Sequence, residues 1–371
     1  MGRFVQIHML TSYPPANLNR DDLGRPKTAK IGGFDRLRVS SQSLKRAWRT
    51  SEIFKETLDG HIGVRTKLLG VSVYNDLRAG NIDHAKSLEW AKLIANEFGK
   101  LKEFSKDEKK KLKELSKEVR EVKELIELEI DQLVFVDTEE KKLVTELVGK
   151  MISRNDGPQK DELNLLRKQM RAVDIAMFGR MLASKPEYEI EAACQVAHAI
   201  SVHPVVIEDD YFTAIDDLND GSENAGAAHI GETGFAAGLF YSYICINREQ
   251  LIKNLGGDEE LAMKAIKALT EAAVKVSPNG KQNSFGSRAY ASYVLAEKGD
   301  QQPRSLSVAF LKPIMNQGIE GVDFGTAAIN ALTTHRDNMD TVYGSCADDC
   351  CSFNALEGEG TLAELLAFVA E

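Results

Sequence analysis

The feature that most constrains this chain is the order in which its hydrophobic period changes. Phe4 to Leu10 alternates, with Val5, Ile7 and Met9 on one face and Gln6 and His8 on the other, which predicts a half-buried strand. A loop punctuated by Pro14, Pro15, Gly24 and Pro26 runs from Tyr13 to Gly33. Arg36-Leu37-Arg38-Val39-Ser40 then reads as a short strand with both arginines on one side, and Ser40 or Ser41 caps a helix reaching about Phe54. Strand character returns at Ala192–His203 and Phe235–Asn247, followed by an amphipathic helix over Asp258–Val276 and a strand at Tyr290–Ala296. Further helices are expected at about Asp323–Asp340 and Leu362–Val369.

Set apart from its insertions, the order is strand, helix, strands, helix, strand, which is the ferredoxin-like, RNA-recognition-motif plan of an α+β protein. Two segments interrupt it. From about Ser87 to Ser184, Lys and Glu alternate with Leu, Val and Ile at helical spacing, which predicts a separate helical module; its Lys109-Lys110-Lys111 run reads as a solvated helix face. Pro204–Gly234 is acidic, rich in small residues and too long for an ordinary hairpin connection, so it is a candidate functional protrusion.

Charge narrows the function classes. The chain carries −9 overall, but residues 1–50 hold ten Lys/Arg against three Asp, a net of +7 that leaves −16 on the remaining 321 residues. Attraction for phosphate is thus concentrated in one segment. On a helical wheel from Ser41, Leu44, Ala47, Trp48 and Phe54 fall on one side, and Lys45, Arg46 and Arg49 on the other. Ser40, Ser41, Gln42 and Ser43 crowd the helix start, where free N–H groups suit an anion, and Arg20, Arg25, Lys27 and Lys30 in the preceding loop can close over a phosphodiester chain. A capped surface helix with spare positive charge is the plainer alternative.

No membrane span and no signal-peptide core are evident, and five cysteines, an odd count, suit a reducing cytoplasm. Cys346-x-x-x-Cys350-Cys351, near His335, lacks the paired spacing of a zinc site. His198 and His203, five apart on an expected strand, face opposite sides and read as structural. Gly231 to Gly238 lacks the strand–turn–helix setting of a dinucleotide site. His229 in the protrusion is either an RNA contact or simply exposed. Tyr241 and Tyr243 read as packing in preference to base platforms. No cofactor or metal is expected.

Leu18-Asn19-Arg20-Asp21-Asp22, Gly32-Gly33 and Arg38-x-Ser40-Ser41-Gln42-Ser43-Leu44-Lys45-Arg46-Ala47 closely resemble the CasC family, the repeated backbone subunits of the type I-E CRISPR surveillance complex, Cascade. The likeness continues, in family order, through Val173–Met181, Ala197–Ile200, Tyr211–Leu218 and Lys281–Phe285, and fades in the Lys/Glu-rich insert and beyond about Asn316. It implies a palm (residues 1–60, 185–203 and 235–371, the last with the C-terminal helices), a helical fingers insertion (61–184) and a β-hairpin thumb (204–234). It implies a non-catalytic scaffold that stacks head to tail along a crRNA. Its partners would be copies of itself, the large, small, 5′-handle-binding and 3′-hairpin endonuclease subunits, and target DNA paired to the guide. By position, Arg20, Lys27, Ser40, Gln42, Lys45, Arg46 and Arg49 would grip the guide backbone. Met181 would wedge against bases, and Tyr211, Phe212 and His229 would act from the thumb. The rival reading is a metal-dependent RNA endonuclease of the type III kind, using a loop carboxylate among Asp21, Asp22 and Asp35.

Overall fold

The computed structural model describes residues 2–105, 117–214, 229–315 and 323–371. The Lys109–Lys111 run, the stretch Ile215–Leu218 and the rest of the protrusion's tip lie outside them. The chain divides into two compact units, Met1–Thr57 with Gln195–Arg248 and Met263–Glu371, and Leu58–Cys194 with Glu249–Ala262.

The first unit is built on one sheet. In chain order its strands begin with β1 (Phe4–Ala16), β2 (Thr28–Ile31) and β3 (Phe34–Val39), followed by helices α1 (Ser41–Arg49) and α2 (Glu52–Thr57). The two strands β4 (Val64–Thr66) and β5 (Val134–Val136) belong to the second unit. The sheet resumes with β6 (Cys194–Val196), β7 (Ala199–Ser201), β8 (Glu208–Ala214), β9 (His229–Asn247), β10 (Ala291–Gly299) and β11 (Asp349–Asn354). The order across it is β11-β10-β1-β9-β7-β3-β2, with β6 and β8 also pairing β9. β1 is flanked by β10 and β9 in antiparallel register, Phe4 opposite both Gly299 and Asn247.

That central position corrects the half-buried reading of β1. Val5, Ile7 and Met9 are buried, and so are Gln6 and His8. The polar face is tolerable because its groups are paired. Gln6 Oε1 accepts the Tyr243 hydroxyl and the Arg304 N–H, each at 2.8 Å. His8 sits between the Tyr241 hydroxyl (2.9 Å, at Nδ1) and Glu297 (3.3 Å, at Nε2). Burial holds the His8 pKa below its ordinary value, against the pull of Glu297. A neutral ring that donates from Nε2 to the carboxylate and accepts at Nδ1 fits both contacts, since the Tyr241 oxygen already accepts the Leu306 N–H at 3.0 Å. Tyr241 and Tyr243 are buried in this core, with Leu10, Leu295, Leu306, Phe310 and Leu332.

Other boundaries differ from expectation for local reasons. β1 continues to Ala16, through the first prolines of the expected loop. The helix expected to reach Phe54 breaks after Arg49, where the Ser51 hydroxyl donates to the Trp48 carbonyl and accepts the Phe54 N–H, restarting the helix as α2. The expected strand Ala192–His203 is two short pieces, β6 and β7, and the strand expected at Tyr290–Ala296 runs from Ala291 to Gly299. Arg36 is no surface partner of Arg38. It is fully buried and donates to the Ser201 carbonyl at 2.7 Å and the Phe310 carbonyl at 2.8 Å. Between β2 and β3, Gly32 and Gly33 take φ of +61° and +85° as a two-residue turn. A side chain at Gly32 would strike the Leu311 carbonyl.

The second unit is helical, and begins earlier than the Lys/Glu-rich pattern suggests. Helices Leu69–Ala79, His84–Phe98 and Thr138–Arg154 enclose a core that includes Val73, Leu77, Trp90, Ile94, Phe98, Leu147 and Met151. The β4–β5 pair was not expected. Asp137 caps Thr138–Arg154 through a capping box with Glu140. Glu140 is itself buried and takes both a 2.7 Å ion pair from Arg180 and the Arg167 N–H at 2.8 Å.

Candidate functional site

The loop after β1 is a small hairpin in its own right. Lys27 N–H donates to the Asn19 carbonyl at 2.8 Å, Arg20 bridges Pro26, and Asp21 N–H donates to the Arg25 carbonyl at 2.9 Å. The Asp21 carboxylate closes the turn by accepting the Leu23 and Arg25 N–H groups at 3.0 and 2.9 Å. Asp21 is therefore engaged in shaping the loop. Gly24, at φ +83°, makes the turn possible.

This hairpin is fixed to α1 through side chains. Asn19 Oδ1 accepts the Ser40 N–H at 2.9 Å, and the Ser40 hydroxyl accepts the Ser43 N–H as the helix cap. Between loop and helix lies a cleft of about 470 Å³ whose lining includes Asn19, Arg20, Ser43, Arg46, Asn279 and Gly280, together with Asp21 and Asp22. Gly280 passes so close to the Leu18 carbonyl that a Cβ there would lie 2.2 Å from it. Sequence reasoning singled out the neighbouring Lys281–Phe285 block but missed Asn279 and Gly280. An Asn-Gly pair ahead of that block was the available signal.

Arg20 and Arg46 are exposed at the cleft with no carboxylate in ion-pairing distance among the described residues. Lys27 stands near the Arg38–His198 pair, where Arg38 Nη1 donates to His198 Nδ1 at 2.8 Å. Burial first, and then Arg38 and Lys27, hold the His198 pKa below its ordinary value, so the ring adds no charge at neutral pH. Lys45 and Arg49 lie on the less buried side of α1, opposite the buried Leu44, Ala47 and Trp48, and Gln42 is exposed in its first turn. Ser40 is buried, its hydroxyl taken up by the cap. The arrangement suits a polyanion: the exposed Arg20 and Arg46 side chains line a polar cleft at a capped helix start.

The remaining expected residues lie elsewhere. Met181, in the second unit, is 76% exposed, directly after Gly179 (φ +82°) and the buried Arg180. In the first unit, β8 and the start of β9 pair antiparallel from Glu208 opposite Phe235 to Ala214 opposite His229. Tyr211 and Phe212 are exposed on that ladder. The Phe212 ring lies over Gly231, where a Cβ would come within 2.4 Å of it. His229 enters through its backbone pairing with Ala214. His203 is structural, donating from Nδ1 to the Pro204 carbonyl and accepting the Leu239 N–H at Nε2. Among the described residues no cluster of His, Cys, Asp and Glu is placed to hold a metal. No helix among them is long and apolar enough to cross a membrane.

Against known structures, the chain is similar to a chain of a CRISPR RNA-guided surveillance complex, pre-nicking, with 26% identity, a TM-score of 0.79 and 99% of each chain covered. A chain of a second CRISPR RNA-guided surveillance complex has 24% identity and a TM-score of 0.58 over 99% of this chain and 98% of that one; it supports the fold alone. No curated protein matches the sequence. The CRISPR likeness read from Leu18–Ala47 is thus borne out, and since the model of the CT1975-like protein family matches residues 5–365, the chain belongs to that family.

Proposed function

We propose that this protein is a non-catalytic, guide-RNA-binding backbone subunit of a CRISPR surveillance complex of the type I-E kind. In this reading it oligomerises head to tail along the crRNA and presents the guide for pairing with target DNA. The observation that carries it is that Arg20 and Arg46, neither of them ion-paired among the described residues, both line one polar cleft beside the capped start of α1, a cleft that Asp21 and Asp22 also line. Such cations hold a strand by its phosphates and read no sequence, which is what a scaffold for any guide requires. Likeness over 99% of a surveillance-complex chain supports the same reading.

The strand order supports a palm of the RNA-recognition-motif type: β10, β1, β9 and β7 lie side by side, with α1 following β1 and the helix Glu259–Lys275 following β9. The helical second unit would be the fingers, with Met181 presented from it, and the β8–β9 ladder the base of the thumb carrying Tyr211, Phe212 and His229. Partners would be the crRNA, further copies, the other Cascade subunits and the target strand, in the cytoplasm. Engagement of the Asp21 carboxylate with two backbone amides favours this scaffold over the endonuclease reading.

The test is direct. The protein is purified with its co-expressed partners, and the nucleic acid that comes with it is extracted and sequenced. A uniform spacer-plus-repeat RNA is expected; random cellular RNA or none would refute the proposal.

A further inference from the structure

The basic loop and the root of the β8–β9 ladder are tied together by a buried carboxamide. Asn17, fully buried, donates from Nδ2 to the Gly24 carbonyl at the tip of the loop and to the Gly234 carbonyl in β9, both at 2.9 Å. Further contacts run between the same parts. Arg25 pairs with Asp209 of β8 at 2.8 Å. The Pro26 ring presses so close to Gly234 that a Cβ there would meet its Cδ at 3.3 Å. Lys281, next to the cleft residues Asn279 and Gly280, donates to the Thr233 hydroxyl at 2.6 Å, and the Phe285 ring lies 5.9 Å from that of Phe235.

We propose that Asn17 is a positioning residue that couples occupancy of the Arg20–Arg46 cleft to the ordering of the β8–β9 hairpin. The inference rests on the guide-RNA reading of that cleft. Asn17 touches no ligand in this role. Its two N–H groups hold two carbonyls that belong to different parts of the chain, so a loop clamped by a bound strand also clamps the hairpin root. Coupling of this kind needs contacts that differ between the free and the RNA-bound states, and the Asn17 carboxamide is the link through which the loop would pass such a difference to the hairpin root. An aspartate at position 17 keeps the shape but puts a carboxylate oxygen where Nδ2 stood, facing both carbonyls, and so reverses each contact from attraction to repulsion.

Amide hydrogen exchange on the full chain, with and without an unstructured polyuridine oligonucleotide, tests this at equal bound fraction. In the native protein the RNA is expected to slow exchange both in the loop 18–27 and in Glu208–Ala214 with His229–Phe235, by about tenfold, an ordinary coupling factor. In Asn17→Asp the loop should still be protected while the hairpin gains markedly less, what remains coming from its own RNA contacts through Tyr211 and Phe212. Asp209→Ala, an exposed position that leaves the buried amide intact, provides a second variant with no core to disturb; it should reduce the hairpin's gain in part. Equal RNA-induced hairpin protection in native protein and both variants would overturn the coupling while leaving RNA binding standing. Absence of loop protection in the native protein would overturn the guide-RNA reading, and the coupling with it.

Discussion

Asn19 Oδ1 and the Ser40 N–H meet at 2.9 Å, so the residue before Arg20 and the residue that caps α1 are held as one piece. Removing that acceptor with Asn19→Ala leaves a part-buried N–H without its partner and should cost about 1–3 kcal/mol of stability. RNA affinity should fall because the cleft walls lose their spacing. The salt dependence of binding should keep its slope, since no charge is removed. Fluorescence anisotropy over a range of salt concentrations separates the two effects, and a flattened slope would contradict this account.

The cations make the opposite prediction. A triple Arg20→Ala, Lys27→Ala, Arg46→Ala variant should bind single-stranded RNA more weakly, and its log–log salt slope should flatten by about 2, from roughly 0.7 per phosphate contact. The loss should be the same for every RNA sequence tried. An unchanged slope would remove these residues from the interface.

In the second unit, Arg180 and Glu140 form a buried ion pair at 2.7 Å, with side-chain exposures of 1% and 0%. Glu140→Ala leaves the guanidinium uncompensated in the interior and removes one half of the Asp137 capping box. A loss of about 3–5 kcal/mol is expected, readable by urea denaturation. Surface pairs such as Arg25–Asp209 should give under about 1 kcal/mol in the same measurement.

Acid should weaken the first unit in two stages. His8 has its pKa lowered by burial, so below its ordinary value of 6.5 the unfolded chain takes up a proton that the folded one refuses, and stability falls as pH drops. Burial by itself would raise the Glu297 pKa, but hydrogen bonds from His8 and Arg304, and then from Arg336, outweigh it and hold the carboxyl well below its usual 4.5. Its contribution, present above that value, is lost as pH falls further. His8→Gln should remove the first stage and leave the second, as followed by thermal melts between neutral and acid pH.

Asp21 and Asp22 in the loop and Asp35 in β3 allow a separate check on chemistry. The assembled complex, given magnesium or manganese and a complementary labelled RNA, should bind it and leave it intact. Asp21→Ala should then act on stability, through the two amides it frees. Regular cleavage abolished by Asp21→Ala, Asp22→Ala or Asp35→Ala would favour the endonuclease instead.

Much of this was legible in the sequence because it is local. The Ser40 cap and the buried Leu44–Ala47–Trp48 side of α1 follow from side-chain type and spacing within a few residues, whereas β2 and its turn at Gly32-Gly33 lay inside what read as one loop. The motif around Leu18–Ala47 carried the family. What was missed depends on distant partners. His8 and Gln6 look solvent-facing by alternation, and only Tyr241, Tyr243, Glu297 and Arg304, hundreds of positions away, make their burial affordable. Arg36 reads as a surface charge until Ser201 and Phe310 offer it carbonyls. Asn17 carried no motif of its own, since its two acceptors are brought together only by the fold.

The strand β9 pairs with β8 from His229 to Phe235 and with β1 from Ala236 to Asn247. Nineteen residues of extended chain, about 60 Å at roughly 3.3 Å per residue, thus pass from the ladder into the centre of the sheet without a break. A lever so built enters the sheet beside a register shift in β1 between Tyr13 and Ala16; beyond it, a load applied at the ladder is carried along the backbone into the hydrogen bonds of β1, which must shear together before the strand can slip.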